Sequence, residues 1–407
     1  MTERQQRIVV GMACLYAVAM LSAGALRLWS RPLDSDDRVH YLPNIQRFAA
    51  VFPRVLLHYA MPMPPAALYL QGLIYRATGG SVAATRALAT ICSIATVLMV
   101  IAHVGRSGRF ARTLLFLAMV GSSSWFPAFG FSLKHYAVET FFLVAGWILW
   151  ERRHESWHFA AGATVLFALS VLCVQMAAAF LLMLLFEERK SPRYAALLLL
   201  PLALLGVLVV YWRGSQPPEF WNVPHRTWLG IHPIQLLVAG FVLGTSLVPL
   251  IDGWWKRAVF FLAATPFIGW MFYRAEILVH RAPGDARMFY EMTGSAFLLI
   301  RALVRSNYPL VVICVSIVCA VGISWPAQVL SLRRHELTMA GIYTAIYCAM
   351  MLLVPFYFER YYALLVMMSW VLLSRMIVQS RSALVALYQC AFVIAAFLHA
   401  LRSPVLG

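Results

Sequence analysis

The sequence predicts an all-α, polytopic membrane protein, and three observations carry that prediction. Apolar residues fill 62% of the 407 positions and charged residues only 12%, whereas soluble domains run about half apolar and about a quarter charged. The apolar residues gather in repeated runs, many close to the ~20 residues a helix needs to cross the hydrocarbon core. Short links rich in arginine join the runs, with lysine only at Lys134, Lys190 and Lys256.

Taken in order, the runs predict about 13 spans by length and hydropathy. They cover 8–29, 82–103, 112–129, 137–150, 158–172, 175–187, 194–212, 233–251, 258–279, 308–329, 337–356, 361–378 and 383–401. The first is too long for the apolar core of a secretory signal and lacks a clear cleavage site. The two runs flanking Gln175 could equally form one long tilted helix.

The links set the orientation. With Arg4 and Arg7 cytoplasmic, Arg106/Arg109/Arg112, Arg152/Arg153, Arg189/Lys190/Arg193, Lys256/Arg257, Arg333/Arg334 and Arg381 all fall on that same side. Cytoplasmic loops carry such an excess of basic residues, so the net charge of +17 expresses topology and no nucleic-acid partner is expected. The assignment requires residues 30–81 to stay outside. Their apolar piece, "PPAALYLQGLIY", would reach only ~20 Å as a helix. Residues 213–232 and 280–306 form further external loops of one membrane-embedded domain. Short links and arginine in place of lysine suggest a bacterial plasma membrane with the external loops on its periplasmic face. All seven cysteines lie in apolar runs without a C-x-x-C pair, which indicates neither a disulfide framework nor a zinc site.

The first external loop has internal design. Asp34, Asp36 and Asp37 are three of only sixteen acidic residues. From there Leu42, Ile45, Ala49 and Phe52 make an apolar stripe at helical spacing, with Asp37, His40, Asn44 and Arg47 expected on the opposite face. Pro43 fits a helix beginning just before it, and an acid near that helix start is favoured by the helix dipole. "MPMPP" (61–65) then separates a second short amphipathic helix ending at Gly79–Gly80. Asp36 and Asp37 are either solvated capping residues or a general base and acceptor-binding carboxylate, with His40 beside them.

Further candidates lie along the chain. Lys134, His135 and Glu139 sit at a helix mouth, where ionisable groups either snorkel or bind. Gln175 is a lone amide in a membrane segment, suited to interhelical hydrogen bonding or to a ligand. The loop 217–235 holds Trp221, His225, Trp228, His232 and Gln235, and two histidines without a nearby carboxylate are a weak metal signal. Arg281, Arg287, Arg301 and Arg305 break the charge rule, which an anionic headgroup or phosphate would explain. "FERYY" (358–362) places Arg360 beside Tyr362, with either Glu359 or a ligand phosphate, which its planar fork suits, as the charge partner.

The order of these motifs resembles the GT-C superfamily of membrane glycosyltransferases, and within it the dolichyl-phosphate-glucose-dependent α-1,2-glucosyltransferase family. "DDRVHYLPNIQ" is similar to that family's Asp-Glu-x-x-His with Pro and Gln after it, which adds Gln46 to the candidates, and "PPAALYL" is similar to its Pro-Pro-Gly-Leu-Tyr-Leu. Gln175 stands where the family has Arg-Gln-Thr-Asn. His225, His232 and Gln235 match its His…His-x-x-Gln, and "ERYY" its Asn-Arg-x-Tyr. The departures are Asp37 in place of Glu, Pro43 one position late, and a missing Gly-Asp-Lys before the histidine. The resemblance implies inverting transfer of a hexose from a polyprenyl-phosphate sugar to a glycan or lipid-linked acceptor at the external face. Asp37 or Asp36 would be the base. Arg360, with Arg281 or Arg287, would face the leaving phosphate. His40, Glu139, His225 and His232 would orient donor or acceptor. A divalent metal is compatible with such chemistry, but the sequence offers no ligand set for one. A lipid-linked-sugar flippase and a non-catalytic membrane subunit are the alternatives.

Overall fold

The computed structural model describes residues 2–30, 33, 37–61, 63–104, 109–122, 132–214, 217, 219, 232–275, 300, 303–304, 307–353 and 362–402. Every regular element among them is helical. Three runs, Val82–Val104, Pro192–Trp212 and Tyr308–Leu332, are long and apolar enough to cross a membrane. The chain divides into two compact units, one built from residues 1–106 and 125–227 and the other from 107–124 and 228–406.

The first unit contains α1 (Glu3–Ser30), α2 (Leu42–Val51), α3 (Ala66–Ala77) and α4 (Val82–Val104). The second unit contributes α5 (Phe110–Ser122). The first then resumes with α6 (Tyr136–Glu151), α7 (Trp157–Val171), α8 (Ala178–Glu187) and α9 (Pro192–Trp212). Both predicted juxtamembrane helices are present. Proline occupies the first turn of α2, where its missing N–H costs nothing. After α3, Gly79 (φ 65°) and Gly80 (φ 90°) take left-handed conformations that a side chain would resist. Much of α9 is exposed apolar surface, with Val207 at 65% and Val210 at 77%, as expected of a helix whose solvent is hydrocarbon.

The single tilted helix considered around Gln175 does not form. α7 ends at Val171, Val174 is extended (φ −149°, ψ 127°), and a tight turn at Gln175–Ala177 leads into α8. The freed carbonyl of Leu172 accepts from the Ala66 N–H at 2.8 Å. α3 thus begins on the main chain that the break exposes, which satisfies a carbonyl that would otherwise be left without its helical partner.

The second unit continues with α10 (Gln235–Ser246), α11 (Trp254–Ala258), α12 (Thr265–Ala275) and α13 (Tyr308–Ile323). It ends with α14 (Trp325–Leu332), α15 (His335–Met351), α16 (Ala363–Gln379) and α17 (Ala383–Arg402). The predicted span 258–279 is interrupted, with a tight 3-10 stretch at Val259–Ala264 before α12. α10 and α13 approach at glycines. A β-carbon on Gly244 would lie 2.0 Å from Val318 O, and one on Gly322 1.7 Å from Gly240 O. The Gly240-x-x-x-Gly244 spacing is the small-residue pattern that lets membrane helices touch backbone to backbone.

Candidate active site

Within the first unit the acidic corner is built on one wide turn. Asp37–Tyr41 forms a single π-helical turn that runs directly into α2, a geometry often found at functional sites. Asp37 is 1% exposed, and its Oδ2 accepts from the Leu133 N–H at 3.1 Å. Tyr41 also points inward, while His40 between them is exposed. The buried face therefore runs Asp37, Tyr41, Ile45 and Phe48. This corrects the expectation that Asp37 and Asn44 lie on the polar face of α2. Asn44 is 5% exposed, and its Nδ2 donates to His40 O at 2.7 Å. The wide turn rotates the preceding residues, so a stripe counted at helical spacing from Leu42 puts Asp37 on the wrong side.

Residues 132–135 lie across this corner as a strap. The Leu133 side chain is buried in one core with Tyr41, Ile45, Phe48, Tyr59, Met61 and Leu68. Lys134 and His135 are 8% and 7% exposed. His135 Nδ1 lies 3.0 Å from the Tyr41 hydroxyl, with the rings stacked at 6.1 Å and 20°. On its other side, Nε2 lies 3.6 Å from Glu139 Oε2, an ion-pair contact and too long for a hydrogen bond. Which of the Tyr41 hydroxyl and His135 Nδ1 donates follows the ring's tautomer. Glu139, 2% exposed, sits in the first turn of α6, and its carbonyl accepts from Ser170 Oγ at 3.2 Å.

The other candidates divide. Gln46 is exposed and donates from Nε2 to the Tyr75 hydroxyl at 3.1 Å, so it ties α2 to α3. Gln175 is half-buried at the break between α7 and α8. In the second unit, Gln235 and Tyr362 are both fully buried, and the Tyr362 hydroxyl lies 2.9 Å from Gln235 O and 3.0 Å from its Oε1. The main chain of His232 belongs to the same group, its N–H donating to Leu352 O at 2.8 Å and its carbonyl accepting from Gln235 N–H at 3.0 Å. Asp34, Asp36, His225, Arg281, Arg287 and Arg360 lie outside the described residues. Among the described residues no group of three or more His, Cys, Asp or Glu is placed to hold a metal ion.

Two contributions escaped the sequence reading. Tyr41 was hidden among aromatics, although its spacing of four from Asp37 was visible. Gln71, fully buried on α3, donates to Leu133 O at 2.7 Å; the signal was an amide inside an apolar run. The corner is also clamped from outside. Trp212 Nε1 donates to Leu57 O at 2.8 Å, His58 Nε2 lies 3.1 Å from the Tyr211 hydroxyl, and Arg47 Nη1 pairs with Glu219 Oε2 at 2.9 Å.

The Arg47–Glu219 pair gives a small, signed prediction. The hydrogen bond from Arg47 outweighs the cost of burial and holds the Glu219 carboxyl below its ordinary value of 4.5. The stabilisation is therefore fully present above that value and fades as pH falls through the lower folded value. Arg47→Ala should lower thermal stability at neutral pH by no more than ~1 kcal/mol, since the pair is solvent-screened. Unfolding curves of the two proteins should converge as pH falls below the folded value of Glu219.

No family model matches the chain, and no curated protein matches its sequence. Among solved structures it is similar to the crystal structure of ArnT from Cupriavidus metallidurans bound to undecaprenyl phosphate. The similarity is at 15% identity and a TM-score of 0.38, covering 96% of this chain and 77% of that one. A superposition that loose leaves the assignment to the residues themselves.

Proposed function

We propose that this chain is a membrane glycosyltransferase that moves a hexose from a polyprenyl-phosphate sugar to a hydroxyl of a glycan or lipid-linked acceptor at the external membrane surface. The observation that supports it most is the placement of Asp37. In a chain with few acids, this one is buried at the junction of two juxtamembrane helices, anchored by a main-chain N–H, under a strap carrying Lys134 and His135. It also falls within the ordered motifs from "DDRVH" to "ERYY".

In this reading the acceptor hydroxyl gives its proton to the Asp37 carboxylate as its oxygen attacks the anomeric carbon. The bond from that carbon to the phosphate oxygen breaks, and the electron pair leaves with the polyprenyl phosphate, inverting the anomeric centre. A phosphate is already a good leaving group, so one carboxylate acting as base suffices. Lys134, held at the same corner, supplies positive charge toward the departing phosphate. His135, set between Tyr41 and Glu139, orients the acceptor. Burial serves the base by excluding water, which would otherwise compete as acceptor.

The test is sugar transfer by purified protein in detergent, with radiolabelled polyprenyl-phosphate hexoses offered to membrane-extracted acceptors. Transfer from one donor supports the reading; none from any donor, with a competent acceptor pool, overturns it. Glu139→Gln should keep the fold and lower turnover by roughly tenfold, because the side chain that meets His135 Nε2 at 3.6 Å no longer holds the ring in the same position. Unchanged turnover would remove Glu139 from the site.

A further inference from the structure

Resting on the reading of Asp37 as the base, we infer that Gln71 is a positioning residue for it, acting through Leu133. Leu133 is gripped at three points. Its N–H donates to Asp37 Oδ2 at 3.1 Å, its carbonyl accepts from Gln71 Nε2 at 2.7 Å, and its side chain is fully buried among residues of the wide turn, α2 and α3. The two hydrogen bonds lie on adjacent peptide groups of one residue, so the carboxylate and the amide bracket it from opposite sides. Gln71 thereby couples the second juxtamembrane helix to the acid on the first. It fixes the N–H that turns one carboxylate oxygen inward, and with it the direction of the other.

Packing alone does not account for this amide. Gln71 is fully buried, and its Oε1 meets no hydrogen-bond partner among the described residues. A buried amide satisfied at one end only carries an unpaired oxygen at a cost in stability, while its other end supplies the donor to the Leu133 carbonyl. The neighbouring glycine argues the same way. A β-carbon on Gly72 would lie 2.8 Å from Phe48 Cβ and 3.1 Å from Ala49 N, so α3 is pressed against α2 with no room to shift. The amide that crosses from this rigid pair to the strap therefore sets the strap's height over Asp37.

The test compares wild type with Gln71→Met, which keeps the volume and loses the donor, and Gln71→Glu, which donates only when protonated. Each is taken as the monodisperse detergent fraction with thermal stability recorded. Gln71→Met should lower kcat by roughly tenfold to a hundredfold, in the range of a slightly misplaced catalytic group, with KM within about twofold and a modest fall in Tm from the unpaired Leu133 carbonyl. Its kcat/KM profile should also shift. A carboxylate that loses its N–H donor is less favoured in the charged form, so the acidic limb moves upward. Lys134, His135 and Glu139 are the titratable groups on the adjoining strap and helix, so the limb is also recorded in Lys134→Met, His135→Gln and Glu139→Gln; a limb that stays in those three and moves in Gln71→Met reports Asp37. Gln71→Glu should regain part of the lost rate as pH falls. Gln71→Met with wild-type kcat and limb overturns the inference while the enzyme reading stands. Equal loss in kcat and Tm with an unmoved limb assigns Gln71 to packing and also overturns it. No transfer by wild type itself overturns the reading and the inference together.

Discussion

Replacing Asp37 by asparagine is expected to cut sugar transfer by about 10²–10⁴-fold, the usual contribution of a positioned general base. The substitution conserves shape, and the amide oxygen can still accept from the Leu133 N–H that Asp37 Oδ2 accepts now. Folding should therefore survive, and the loss should appear in kcat. Asp36→Asn, run beside it, distinguishes the two acids. If Asp37 is the base, Asp36→Asn retains most of the rate; if the losses are exchanged, the base is Asp36 and Asp37 is a structural anchor for the strap. Full transfer by both variants would remove the acidic corner from the chemistry.

The second large effect is on the fold. Gly322→Ala is expected to destabilise the second unit by ~3 kcal/mol, the upper end of what overpacking costs. The added carbon would lie 1.7 Å from Gly240 O. No rotamer relieves that, because both partners are main chain, so α10 and α13 must part along their length. Gly206→Ala on α9 is the control: beyond the helix's own backbone, no atom of the described residues lies within 4 Å of its β-carbon position, and alanine is the better helix former by up to ~1 kcal/mol. Thermal unfolding in detergent should show Gly322→Ala melting well below wild type and Gly206→Ala at or above it. Equal melting of all three would mean that the two helices are not in backbone contact.

What the sequence revealed about this molecule follows the range of the forces involved. Spans were legible because hydropathy is local: 82–103 was predicted and α4 runs Val82–Val104, and 194–212 was predicted and α9 runs Pro192–Trp212. Both juxtamembrane helices were legible from Pro43, "MPMPP" and Gly79–Gly80. The inward turn of Asp37 was not, because it depends on an acceptor–donor match with Leu133, nearly a hundred residues away along the chain. For the same reason Gln71 passed as one polar residue in an apolar helix. The interruption at Val174 was half-visible: Gln175 was marked, but nothing local says that the Leu172 carbonyl has a donor waiting on α3. Gln235 and Tyr362 were named separately, by motif, and the structure brings them within hydrogen-bonding distance.

The docking of α3 also bears on how the protein is made. Ala66 bonds to Leu172, and Gln71 to Leu133, so the partners of this segment are synthesised well after it. When α2 and α3 have emerged, the residues that receive them have not yet been made. They must wait at the membrane surface until the helices on either side of the Val174 break have been inserted, and only then can the acidic corner close. Closure of the acidic corner is thus a late event in biogenesis. A nascent chain arrested before Leu172 should leave residues 52–65 open to added protease, and one arrested well beyond it should protect them.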